Sequence, residues 1–125
     1  MLTIAIEHRQ GWLTCRPQGD LDASSASELR ACFDALVRPA PVLIDLSGVP
    51  FLDSAGLGAL VGGVRRIREA GGAVTVCAGR RSIARVLRTV GFDRVVHLVD
   101  SLEEVPDLAV PEDDDAVLAL GAGAG

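Results

Sequence analysis

Val42-Leu43-Ile44-Asp45-Leu46-Ser47-Gly48-Val49-Pro50-Phe51-Leu52-Asp53-Ser54-Ala55-Gly56-Leu57-Gly58 reads as a strand, a tight loop and the opening of a helix. The apolar run from Val42 to Leu46, interrupted only by Asp45, suits a strand covered on both faces. Gly48-Val49-Pro50 cannot continue it. A helix is predicted from Asp53-Ser54, because Leu57, Leu60, Val61, Val64 and Ile67 recur at the spacing that lines one helical face. On chemistry alone Ser54 reads as the N-cap, its oxygen accepting a hydrogen bond from a first-turn amide. Gly56, Gly58, Gly62 and Gly63 fall within the same helix, each at a cost of about 1 kcal/mol relative to Ala. Such glycines predict close approach, either by another element of the same domain or by a partner docking around Ser54.

Upstream, Leu2, Ile4 and Ile6 alternate with Thr3, Ala5 and Glu7, the period of a half-buried strand. His8-Arg9-Gln10-Gly11 turns the chain into a second strand, Trp12 to Arg16, which Pro17 closes, so the chain opens with a hairpin. Gly19-Asp20-Leu21-Asp22 follows as an acidic loop before a helix, a better cap than metal site, since no third ligand is near in sequence. Ser25-Ala26-Ser27-Glu28 has the form of a capping box, and Leu29, Cys32, Phe33 and Leu36 mark the first helix, ended near Pro39.

Downstream of the Ser54 helix, which Gly71-Gly72 stops, Ala73 to Cys77 predict a strand. Ile83, Val86, Leu87 and Val90 predict a third helix, with Arg80, Arg81, Arg85 and Arg88 giving it a basic side suited to an acidic partner. Arg94 to Val99 predict a last strand, with His97 an edge or packing residue, and Ser101-Leu102-Glu103-Glu104 a short helix opened by a second capping box and disturbed by Pro106. Strands separated by helical patterns, after one hairpin, predict an α/β fold: a mixed sheet covered by about four helices, in one domain over residues 1–105. Residues 106–125 read as a flexible tail, acidic over Pro111-Glu112-Asp113-Asp114-Asp115, then Gly/Ala-rich, with Ala116 to Leu120 able to form a brief amphipathic turn.

Composition narrows the function. The 125 residues are 49% apolar, ample for one core, yet only 3% aromatic, so Val, Leu, Ile and Ala must fill it. A net charge of -5 argues against a nucleic-acid partner. All twelve basic residues are Arg, which excludes Schiff-base chemistry, lysine-dependent phosphate loops and a receiver domain that needs a lysine beside its acidic site. Cys15, Cys32 and Cys77 share no metal-like spacing and read as buried free thiols. No signal peptide or membrane span is predicted, since charges interrupt the apolar start and the longest uncharged run, Ser54 to Val64, is short and glycine-rich; a cytoplasmic protein follows.

The segment Phe51-Leu52-Asp53-Ser54-Ala55-Gly56-Leu57-Gly58-Ala59-Leu60 resembles the signature of the STAS family, and within it the bacterial anti-sigma factor antagonists, where Asp-Ser-Ser/Thr-Gly-Leu-Gly opens a helix. Gly19-Asp20-Leu21-Asp22 and Gly71-Gly72-Ala73-Val74-Thr75-Val76-Cys77 match the family pattern too, and the similarity runs over roughly residues 2–104. The chain departs at Ala55, where the family usually carries a second hydroxyl. The resemblance implies a STAS-type sheet and a phosphorylated serine, which maps onto Ser54. It implies binding to an anti-sigma factor that is also a serine kinase, displacing a sigma factor, with a phosphatase resetting the modified serine. Asp53 would position Ser54, with Asp20 and Asp22 beside it, and Ala55, Gly56 and Gly58 completing the partner surface. The chain would need no cofactor or metal of its own and would not be an enzyme.

Rival readings stand beside this one. A serine hydrolase needs a histidine in reach, and Leu52 replaces the first glycine of a G-x-S-x-G elbow. A STAS module that senses a ligand or joins a transport complex without phosphorylation would have less need of Asp53-Ser54. A decoy that binds several kinases would retain the same surface.

Overall fold

The computed structural model describes residues 1–108, so the acidic and Gly/Ala-rich expectations for the tail lie outside the described residues. Five strands form one sheet in sequential order: β1 (Thr3–Arg9), β2 (Trp12–Gln18), β3 (Pro41–Asp45), β4 (Ala73–Cys77) and β5 (His97–Val99). β1 pairs antiparallel with β2, and the remaining pairs are parallel, giving the mixed sheet with an N-terminal hairpin. Crossovers carry the helices α1 (Ala26–Asp34), α2 (Ser54–Glu69) and α3 (Arg81–Thr89).

Side-chain alternation divides the sheet. Leu13, Cys15, Val42, Ile44, Val74 and Val76 join Leu29 and Phe33 of α1, Leu60, Val64 and Ile67 of α2 and Leu87 of α3 in one core, so all three helices share a face. Trp12, Leu43, Cys77 and Val99 point to the other face, where Val105 covers them. The chain after β5 is held there by Trp12, whose indole nitrogen donates to the Pro106 carbonyl at 2.8 Å, and by the Leu108 amide, which donates to the Gln10 carbonyl at 2.7 Å. Asp45 is 2% exposed on this face, its carboxylate 3.1 Å from Arg16 Nε and accepting from the Ser47 hydroxyl at 2.6 Å.

Several expectations need correction. Among the described residues there are three α-helices rather than about four: Leu102–Glu104 is a single 3-10 turn. Its capping box does form, with Ser101 and Glu104 reciprocally bonded, but Pro106 follows too soon for the turn to propagate. The last strand is shorter than Arg94 to Val99, because Phe92–Arg94 takes a 3-10 turn after Gly91, which sits at φ 79. The Ser25 capping box is absent. Its hydroxyl instead donates to the Asp20 carbonyl at 2.7 Å and accepts from the Asp22 amide at 3.0 Å, folding the preceding loop rather than capping the helix.

Candidate functional site

Ser54 and the acidic loop are brought together by the backbone. After β3 the chain runs through Gly48 and Pro50 into a one-residue parallel bridge with the Gly19–Asp22 loop. The Leu21 amide donates to the Phe51 carbonyl at 2.9 Å, and the Asp53 amide donates to the Leu21 carbonyl at 3.1 Å. Leu21 and Leu52 point into the core, so their neighbours Asp20, Asp22, Phe51 and Asp53 are left toward the surface.

The helix start differs from the expected one by a residue. Asp53, not Ser54, is the N-cap of α2: it is extended, and its Oδ1 accepts from the Gly56 amide at 2.9 Å. Ser54 is the first helical residue and is exposed. Asp53 therefore does the capping and leaves the Ser54 hydroxyl outside that role, on the solvent side of the helix start.

Asp22 serves its own loop. Its Oδ1 accepts from the Ser24 hydroxyl at 2.7 Å and from the Ser24 and Ser25 amides at 3.0 and 3.2 Å. These bonds, that of the Ser24 hydroxyl foremost, hold its carboxyl below the usual aspartate range, so it is charged near neutral pH. Asp20 is exposed beside it.

The four glycines of α2 divide into two pairs. A Cβ at Gly56 would lie 2.1 Å from the Leu21 carbonyl oxygen, and one at Gly63 1.8 Å from the Phe33 ring. These two serve internal packing, and Gly56, expected on the partner surface, is buried and has none to offer. A Cβ at Gly58 or Gly62 would meet nothing within 4 Å, so the expected close approach is not made within the domain at these positions. Ser54, Gly58 and Gly62 follow at four-residue intervals and share one helical face, with Ala55, Leu57 and Val61 partly buried next to it.

Phe51 is a residue that sequence reasoning passed over. It is 51% exposed, adjacent to the bridge and two residues before the cap. Its signal was present: once Leu52 points inward, an extended chain turns Phe51 outward. The arginines of α3 lie elsewhere, at a cavity of about 480 Å³ lined by Arg80, Arg81, Arg85, Arg88 and Asp100, with Arg88 paired to Asp100 at 2.8 Å. Among the described residues no group of three or more His, Cys, Asp or Glu is placed to hold a metal ion, and no helix is long and apolar enough to cross a membrane.

A mixed sheet with helices on one face and an exposed serine at the start of α2 defines the class: a small α/β domain of STAS type. The chain belongs to the STAS domain family, whose model matches residues 3–105. It is 28% identical over 103 residues to an anti-sigma F factor antagonist from Paenibacillus polymyxa, covering 80% of this chain and 88% of that protein. Among solved structures it is similar to an anti-sigma factor antagonist from Mycobacterium paratuberculosis, with 26% identity, coverage of 95% and 93% of the two chains and a TM-score of 0.68. The fold is shared with the Bacillus cell fate determinant SpoIIAA in its phosphorylated form, at 19% identity, coverage of 94% and 99% and a TM-score of 0.59.

Proposed function

We propose that this chain is an anti-sigma factor antagonist working in the cytoplasm, which binds a serine-kinase anti-sigma factor to release a sigma factor and is switched off when that kinase phosphorylates Ser54. The observation that carries the reading is the exposed Ser54, relieved of capping by Asp53 and followed along its helix face by the open positions Gly58 and Gly62. The relatives named as anti-sigma factor antagonists support the same reading. Asp20, Asp22, Asp53, Ser54, Ala55 and Gly58 then form the docking face, with Phe51 as an apolar anchor at its edge.

Phosphorylation would add about -1.5 to -2 charges at neutral pH. In the unbound protein the dianion stays in water at the positive end of α2, so the fold survives. In a complex it would be desolvated beside Asp20, Asp22 and Asp53, and a buried charge without a partner costs several kcal/mol. Since about 1.4 kcal/mol is tenfold in affinity, a fraction of that penalty suffices to release the kinase, and a phosphatase restores binding. ATP and its metal belong to the kinase, so this chain contributes the acceptor and no catalytic group.

The experiment pairs this chain with a purified serine-kinase anti-sigma factor from the same genome. Incubation with ATP should place one phosphate, on Ser54, by mass spectrometry. Ser54→Ala should fold and hold the kinase in its presence, and Ser54→Asp should fold and bind at least tenfold more weakly. A phosphate found on another residue, or equal affinity of the two variants, refutes the switch.

A further inference from the structure

Two of the three cysteines, read from the sequence as separate buried thiols, face one another. Cys15 on β2 and Cys32 on α1 approach to 3.6 Å between sulfurs, a thiol–thiol contact 17 residues apart in sequence. Cys15 is fully buried, whereas Cys32 is partly exposed, so an oxidant in solution reaches one member of the pair only. Cys77 points to the other face of the sheet, in the cluster with Trp12, Leu43 and Val99. We propose that Cys15 and Cys32 are a modification site: a dithiol that peroxides close to an intramolecular disulfide, fastening α1 to β2.

The two sulfurs have distinct roles. Cys32 is the sulfur open to solvent, while contact with Cys32 and burial push the Cys15 thiol far upward and keep it protonated. Cys32 is then the attacking thiolate: its sulfur takes one oxygen of the peroxide as the O–O bond breaks, and the other oxygen leaves, as water once protonated. Cys15 sulfur next attacks the Cys32 sulfenic sulfur, the S–O bond breaks, and the departing hydroxide leaves as water with the Cys15 proton. In sum, two thiols and one hydrogen peroxide give one disulfide and two waters. The sulfurs, 3.6 Å apart, need close by only about 1.5 Å to reach disulfide length.

The link would enclose residues 16–31, including the loop with Asp20 and Asp22 and its bridge to Leu52. Oxidation would thus restrict that loop with or without a phosphate on Ser54, and the inference does not depend on the proposed function.

The test treats the full reduced chain with hydrogen peroxide, blocks remaining thiols and maps it without reduction. Pro17 and Pro39 hinder cleavage after Arg16 and Arg38, so trypsin leaves Cys15 in 10–30, Cys32 in 31–65 and Cys77 in 69–80. The expected product is monomeric, joins 10–30 to 31–65, leaves Cys77 blocked as a thiol and reverts with dithiothreitol. Cys77→Ser should give the same link, and Cys15→Ser should stop at an oxidised Cys32 or a Cys32-linked dimer. Persistence of both free thiols under peroxide, a link through Cys77, or over-oxidation of Cys32 in the wild-type chain while Cys15 stays reduced overturns the proposal.

Discussion

Replacing Gly56 and Gly58 one at a time with Ala should move stability in opposite directions, although both lie in the first turns of the same helix. At Gly58 the new methyl meets nothing within 4 Å, and Ala is favoured over Gly in a helix by about 1 kcal/mol, so the variant should be more stable by up to that amount. At Gly56 the methyl would sit 2.1 Å from the Leu21 carbonyl oxygen, 2.5 Å from its carbon and 2.8 Å from Leu21 Cβ. Two of these three atoms are backbone, so no rotamer change relieves the clash, and the strands of the bridge must part by more than about 1 Å to reach ordinary contact. That movement breaks the Leu21 to Phe51 and Asp53 to Leu21 hydrogen bonds, 2.9 and 3.1 Å, at about 1 kcal/mol each. Overpacking adds about 1–3 kcal/mol. After crediting about 1 kcal/mol for helix propensity, Gly56→Ala should destabilise by about 2–4 kcal/mol. Urea denaturation followed by the fluorescence of the single, buried Trp12 measures both variants without a label. If Gly56→Ala lies within experimental error of the wild type, the bridge does not hold the acidic loop against α2, and the site as described is wrong.

Three further outcomes are expected. Phe51→Ala should weaken kinase binding at least tenfold while leaving the urea midpoint nearly unchanged, since the ring is half exposed; a lost midpoint with intact binding would make Phe51 structural. Arg16→Ala should destabilise by about 3 kcal/mol, because it leaves the Asp45 carboxylate buried with its Ser47 bonds alone, and adding Asp45→Asn should recover part of the loss; a single-variant cost below about 1 kcal/mol would discount the pair. Burial, with the Asp45 charge second, raises the Cys77 thiol from its ordinary value near 9 to about 11. The folded state then binds the proton more tightly than the unfolded one, so Cys77's contribution is complete below about pH 9 and is lost as pH rises to about 11. Cys77→Ala should flatten the fall in stability across that window; an unchanged slope would assign it to other groups.

The parts of the fold that sequence conveyed are those set by local periodicity. The apolar run of β3 and the three- and four-residue spacing of α2 needed no tertiary information, and the hairpin followed from alternation around a glycine turn. What sequence left undetermined needed a partner from elsewhere in the chain. Asp53 and Ser54 are both good caps, so choosing between them takes the loop geometry that the Leu21 bridge imposes. Ser25 satisfies a capping-box pattern, yet the Asp20 carbonyl claims its hydroxyl. The four glycines of α2 are alike in sequence and separate only once Leu21 and Phe33 are placed against two of them. Cys15 and Cys32 become a pair only through the packing of α1 on β2.

The position of Ser54 in its helix bears on whether phosphorylation would act on binding rather than on folding. A modification that destabilised the monomer would lower the amount of folded protein, and the switch would be slow to reverse. At the first helical position the serine adjoins amides of Ser54 and Ala55 that have no intrahelical acceptor, while the Gly56 amide is already taken by Asp53. Those free amides and the helix dipole favour a nearby anion by roughly 0.3–1 kcal/mol, which offsets its repulsion from the aspartates while all are solvated and screened. Burial under a partner removes the screening but not the aspartates, so the balance changes sign only in the complex. The asymmetry is testable in one sample: phosphorylated and unmodified protein should share a urea midpoint while differing at least tenfold in kinase affinity, and a lowered midpoint that accounts for the lost binding would turn the proposed switch into a folding defect.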